Sequence, residues 1–282
     1  MPEVELSAGT IEYEDTGGDG PTIVPIHGVG MDGTLWRKVV AGLRDEHRCV
    51  VPTLPLGGHR RPMRADADLS LAGQVRLIVE LLERLDLEDV TLVMSDWGGP
   101  LFALSEAPRE RIQRAVVTSC EAFENFPPGL PGRFLVTVCR MPGGLWLGFQ
   151  QMRFRPLRRL PFTWGWMTKR PVPAEVMDSW FRPLQTSREV RRDLLKYALD
   201  VPPDEQLVEW TERLRSFDRP ALVVWAAEDR IMPPEHGRRL AELMDAELVE
   251  VPDSYTLIPE DQPDALTAEI RRFVSRDPVV AG

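Results

Sequence analysis

Along the first third of the chain, short apolar runs alternate with amphipathic ones. Thr22–Ile26 and Arg48–Pro52 are brief apolar runs, and each predicts a strand. From Ser70 to Leu85, apolar residues recur at Leu71, Val75, Ile78, Val79 and Leu82, the i, i+3, i+4 spacing of a helix with one buried face. Val90–Met94 predicts a third buried strand, Pro100–Ser105 opens a helix, and Ala115–Thr118 predicts a further strand. The alternation returns late, as strand Ala221–Ala226, helix Pro234–Met244, strand Ala246–Val251 and helix Gln262–Val274. Buried strands alternating with helices predict an α/β fold, a mostly parallel sheet covered on both faces.

Between these halves the strand signal vanishes. Residues 125–200 carry Pro-Pro and Gly-Gly breaks, helical stretches and the tryptophans Trp146, Trp164, Trp166 and Trp180. Their 13 Arg and Lys against 5 Asp and Glu invert the charge of the rest of the chain. The pattern predicts a core of residues 1–124 and 201–282 and a helical cap of residues 125–200. Such a cap would sit over the carboxyl ends of the strands, where open α/β sheets bind ligands. The basic run Arg153–Arg159 also fits a plain solvated helix face.

Composition narrows the function classes. With 34 basic and 44 acidic residues in 282, the net charge of −10 argues against a nucleic-acid surface. No run approaches the roughly 20 apolar residues of a membrane span, and the amino terminus lacks the basic and apolar regions of a leader. Cys49, Cys120 and Cys139 form no CxxC pair and are expected to be free thiols. A cytoplasmic monomer or homodimer is expected, with no membrane or nucleic-acid partner. Histidine is scarce: only His27, His47, His59 and His236 are available as a base.

The most informative stretch is Val90–Pro100, VTLVMSDWGGP. A buried strand runs into Asp96, then Trp97-Gly98-Gly99, then a helix. A sharp strand-to-helix turn needs small residues and lifts its apex side chain above the sheet. The carboxylate then lies beside a helix amino terminus, whose N–H groups favour an anion. An N-cap aspartate is the plainer alternative.

Strand–His27-Gly28–strand–Asp96-Trp97-Gly98-Gly99–strand–Asp229 resembles the α/β-hydrolase superfamily over essentially the whole chain. Aspartate at the elbow resembles the epoxide hydrolase and haloalkane dehalogenase branch. The resemblance implies that the carboxylate attacks carbon and that a histidine-activated water hydrolyses the resulting ester. It also implies that the backbone of His27, Gly28 and Val29, with that of Trp97, holds developing negative charge. An orienting acid is implied at Asp229, or at Glu124, where one dehalogenase subgroup places it.

Three departures stand out. Met94 replaces a small elbow residue, and Thr53–His59 replaces the usual Asp-x-x-Gly-x-Gly loop. In Val251–Pro263 the flanks of the histidine loop match, but the histidine position falls on Thr256. Threonine does not serve as a base near neutral pH.

Three accounts stay open: attack by Asp96 with slow or assisted ester hydrolysis, acid–base work by Asp96 without an ester, or a non-hydrolytic binder or cyclase. The insertion offers only Tyr197 of the tyrosine pair that epoxide hydrolases use. Indole N–H groups of Trp164, Trp166 or Trp180 are candidate replacements. For a halide, Trp97 supplies one donor, while Val29 stands where asparagine often supplies the second. Tyr255 and Thr256 are expected to face the cleft as donors. The expectation is an epoxide-hydrolase-like enzyme acting on a small apolar molecule through Asp96, without metal or organic cofactor. A dehalogenase-like hydrolase is the alternative.

Overall fold

A computed structural model describes residues 1–276; residues 277–282, part of the expected core, lie outside the described residues. Eight strands form one sheet: β1 Glu3–Leu6, β2 Gly9–Asp15, β3 Thr22–Ile26, β4 Arg48–Pro52, β5 Val90–Asp96, β6 Ile112–Cys120, β7 Ala221–Ala226 and β8 Glu247–Val251. Their spatial order is β1-β2-β4-β3-β5-β6-β7-β8. From β4 to β8 every pairing is parallel, and β1 and β2 add an antiparallel edge.

The predicted strands and crossovers are present. β5 lies between β3 and β6 and is buried at every position, as a central strand of a parallel sheet covered on both faces is. The helices are α1 Arg37–Leu43, α2 Leu71–Arg84, α3 Ala103–Glu106, α4 Gly129–Arg140, α5 Gly144–Gln151, α6 Ala174–Thr186, α7 Arg188–Ala198, α8 Asp204–Glu212, α9 Pro234–Leu243, α10 Ile258–Asp261 and α11 Pro263–Val274. The hydroxyl of Ser70 caps α2 by accepting from the Gly73 N–H at 3.0 Å, which fixes where that helix begins.

The β1–β2 hairpin was not legible in the pattern. Its residues alternate glutamate with apolar side chains, and glutamate is depleted in strands. β6 also runs two residues past its expected end, to Cys120, which changes which acidic residue follows it. Residues 125–200 hold α4 to α7 and no strand. The segments after β3, β5, β6, β7 and β8 all leave the same edge of the sheet, and the candidate site is built there.

Candidate active site

Asp96 ends β5 with φ +64°, in the left-handed region, and the register against β6 shifts between Met94 and Asp96. Aspartate tolerates this region better than most side chains. The turn is held by absent side chains. A Cβ at Gly28 would lie 2.2 Å from Asp96 Oδ2, and one at Gly98 would lie 2.7 Å from Leu56 Cδ1. Gly99, at φ +86°, then opens the 3₁₀ turn Pro100–Phe102 ahead of α3. Asp96 is only 3% exposed. Burial pushes its carboxyl well above the usual carboxylate range; the Trp97 N–H opposes this, and Glu121 and Asp229 add to it.

Glu121 is the acid that sequence reasoning missed. It directly follows β6, is buried, and accepts from the Gly98 N–H at 3.3 Å and from the Gly99 N–H. Burial raises it to about 7, against the pull of its backbone donors. The expectation for Glu124 is corrected. Its half-exposed side chain pairs with His236 at 3.8 Å and Arg239 at 3.5 Å. Because β6 ends at Cys120, Glu121 rather than Glu124 occupies the strand-end position, as Asp96 does on β5.

Asp229 and Thr256 meet. Thr256 Oγ1 donates to Asp229 Oδ1 at 2.8 Å, and the N–H groups of Ile231 and Met232 donate to the same oxygen. Asp229 Oδ2 is buried without a partner among the described residues. Burial raises the Asp229 carboxyl to about 6, the two N–H groups and the hydroxyls of Thr256 and Ser119 holding it down. Thr256 itself is fully buried.

Above Asp96 lies a cavity of about 100 Å³, walled by Val29, Trp97 and side chains of α4 and α5, with Phe162, Trp164 and Met167 from the following loop. The lining is almost wholly apolar. Two of the lining residues, Trp97 and Trp164, have buried indole N–H groups without acceptors among the described residues. Trp164 packs over Gly30, where a Cβ would lie 3.1 Å from its ring.

The other aromatic candidates do not line this cavity. The Trp180 indole donates to Thr34 Oγ1 at 2.8 Å, which satisfies it in packing. Trp166 and Tyr255 both stack on Arg230, at 5.8 and 4.8 Å, and Lys169 lies 5.5 Å from the Tyr255 ring. Neither ring is among those that line the Asp96 cavity. Tyr197 stands behind Trp97, with ring centroids 5.6 Å apart, and its buried hydroxyl lacks a partner among the described residues. Burial raises that hydroxyl well above its ordinary value, with Glu121 and Asp96 adding to the effect.

His27 orients its loop: Nδ1 donates to the Gly28 carbonyl, and Nε2 accepts from the Leu54 N–H at 2.9 Å. Burial lowers its pKa, so it stays neutral. Two of the N–H groups expected to hold developing negative charge are engaged. The Val29 N–H donates to the Trp97 carbonyl at 2.8 Å, and the Trp97 N–H serves Asp96 itself. His59 is tied to Asp193 at 3.3 Å, and His236 packs edge-on against Phe123. No histidine lines the Asp96 cavity. Among the described residues no group of three or more His, Cys, Asp or Glu is placed to hold a metal ion. Cys49, Cys120 and Cys139 are free and buried.

Residues 23–270 match the family model described as alpha/beta hydrolase family. The chain belongs to the α/β-hydrolase family. It is 31% identical to the cis-3-alkyl-4-alkyloxetan-2-one decarboxylase of Xanthomonas campestris pv. campestris, over 95% of this chain and 93% of that one. It is 26% identical to haloalkane dehalogenase 2 of Mycobacterium tuberculosis, over 94% and 92% of the two chains. The crystal structure of a haloalkane dehalogenase from Bradyrhizobium elkani superposes with a TM-score of 0.75 at 16% identity, covering 96% of this chain and 95% of that one. This α/β-hydrolase is an enzyme, and its relatives include decarboxylases and dehalogenases.

Proposed function

We propose that this α/β-hydrolase opens an alkyl-substituted four-membered lactone, an oxetan-2-one, and releases carbon dioxide and an alkene. Asp96 is the nucleophile in this reading. The observation that carries it is the contact of Asp229 with Thr256, at the position where the sequence motif leads one to expect a histidine. Ester hydrolysis needs an activated water, whereas loss of carbon dioxide from an oxetan-2-one takes up none. The chemistry named for the Xanthomonas relative fits a site without that base.

The ring-opening step is a displacement. An Asp96 oxygen attacks C4, the saturated ring carbon that bears the ring oxygen, from the face opposite that oxygen. The carbon–oxygen bond breaks, and its electron pair leaves as a free carboxylate. In the second step the pair joining that carboxylate to its carbon forms the double bond. Carbon dioxide departs, and the ester bond to Asp96 breaks to restore the carboxylate. Attack with inversion sets the ester oxygen anti to the carboxylate, so ring substituents that are cis remain cis in the alkene.

The residues of the site have definable roles here. Burial makes the Asp96 carboxylate basic and poorly solvated, hence a strong nucleophile once ionised. The unpartnered indoles of Trp97 and Trp164 supply donors for the departing carboxylate oxygen. Residues 125–200 act as a cap, with Trp164 as its donor and α4 and α5 as its apolar wall.

The same indole pair favours haloalkane dehalogenation as a second reading, since two N–H donors suit a departing halide. That reaction must then hydrolyse its ester. An epoxide substrate has the same requirement, and none of the relatives described above is an epoxide hydrolase. Incubation with a cis-3,4-dialkyl oxetan-2-one, followed by gas chromatography, tests the proposal. The cis-alkene is expected as the main product and should disappear in Asp96→Asn; a β-hydroxy acid as the main product would contradict it.

A further inference from the structure

Residues 125–174 contain eight Arg and Lys and no Asp or Glu, in a chain whose net charge is −10. The same stretch carries most of the large apolar side chains that the fold leaves in water. Leu130 and Phe134 on α4, Met141 after it, Trp146 and Leu147 on α5, and Phe154 beyond are 42–64% exposed. On α4 the exposed positions are Leu130, Arg133, Phe134, Thr137 and Arg140, one helical face of interleaved apolar and basic residues. Arg133, Arg140, Arg153 and Arg159 have no acidic partner among the described residues.

A monomer seldom leaves so much apolar surface uncovered without a partner for it. Exposed Trp, Phe and Leu beside Arg, with no carboxylate, is the signature of a surface that lies in a membrane interface. Arginine stems add apolar contact while their heads reach phosphate. Beside this face a groove of about 930 Å³ runs past Trp146, with Arg188, Arg191, Arg192 and Lys196 against Glu189 and Asp200. No helix among the described residues is long and apolar enough to cross a membrane, so the contact would be peripheral.

We propose that the exposed face of α4 and α5 docks this enzyme on an anionic phospholipid surface. This departs from the expectation of no membrane partner, which rested on the lack of a spanning segment. Phe134 belongs to both surfaces: it is exposed on this face, and it lines the Asp96 cavity. Docking therefore sets the cavity wall against the lipid, from which an apolar substrate would enter. The inference stands whichever electrophile the cavity takes.

Sedimentation with vesicles tests it, using equal parts phosphatidylglycerol and phosphatidylcholine, or phosphatidylcholine alone, at about 0.1 M salt. The wild-type chain is expected to pellet with the anionic vesicles and to stay in solution with the zwitterionic ones. Trp146→Glu/Leu147→Glu and Arg133→Gln/Arg140→Gln, both at exposed sites, should each lower the partition about tenfold or more while the circular dichroism and melting curve hold. The proposal is overturned if wild type ignores anionic vesicles, if it binds both kinds equally, or if neither variant weakens binding. It is also overturned if sedimentation equilibrium without lipid shows a dimer that both variants dissolve, because the face would then belong to a second copy.

Discussion

Thr256 Oγ1 donates to Asp229 Oδ1 at 2.8 Å, and the second oxygen of that buried carboxylate has no partner among the described residues. The pair has the form of an acid–base dyad in which the base carries a hydroxyl. In the proposed reading Asp229 stands where a carboxylate would orient an imidazole, and Thr256, which does not draw a proton from water near neutral pH, stands in the imidazole's place.

Thr256→His should therefore add a hydrolytic activity. An imidazole N–H there has the Asp229 carboxylate, which Thr256 already contacts, as its acceptor. Fitting the larger ring into a fully buried site should cost about 1–3 kcal/mol of stability. Turnover of a haloalkane or simple ester should rise from background, as followed by halide or acid release. No gain in a folded variant would count against the dyad.

Asp96→Asn should abolish turnover, by about 10⁴-fold or more, since the proposed displacement has no other nucleophile. It should also raise the melting temperature. The wild-type carboxyl is buried beside two other acids, and its ionisation is penalised by that burial. Loss of activity with a lower melting temperature would mean that Asp96 supports the fold rather than burdening it.

Glu121→Gln isolates the buried acid beside the elbow. The folded-state pKa of Glu121, about 7, exceeds its ordinary value, so the folded chain binds more protons than the unfolded one between roughly pH 4.5 and 7. Stability must therefore fall as pH rises through that window, and Glu121→Gln should flatten the fall. The charge of Glu121 also holds the Asp96 carboxyl up, so the variant should shift the rising limb of the activity profile to lower pH. Urea melts and rate profiles across this range check both signs.

Trp164→Phe keeps an aromatic ring and removes the indole donor. Activity should fall about 10²-fold, the scale for one donor to developing negative charge. Trp180→Phe is the control, because that indole donates to Thr34 outside the cavity; it should lower stability and leave the rate per folded molecule unchanged.

Much of the framework was legible because its strands are short, apolar and bounded by turn residues. β3, β4 and β7 have the predicted bounds, and β5 ends at Asp96, just before Trp97 and the Gly-Gly that the turn was expected to need. The hairpin β1–β2 was hidden by its glutamates, whose side chains need only one wet face. Glu121 was missed because the end of β6 is fixed by pairing with β5 and β7, not by the apolar run alone. The choice among tryptophans was likewise tertiary. Nothing local separates Trp164, whose indole is left unpartnered in the cavity, from Trp180, whose indole finds a hydroxyl 146 positions away.

The most direct test of Asp96 acting without water is turnover of the oxetan-2-one in ¹⁸O-labelled water, followed by peptide mass analysis of the β5–α3 region. The displacement sequence returns both original oxygens to Asp96, so its peptide should keep its natural mass after many turnovers. A gain of one heavy oxygen on Asp96 would mean that water hydrolyses an ester at that carboxylate, and would contradict the account.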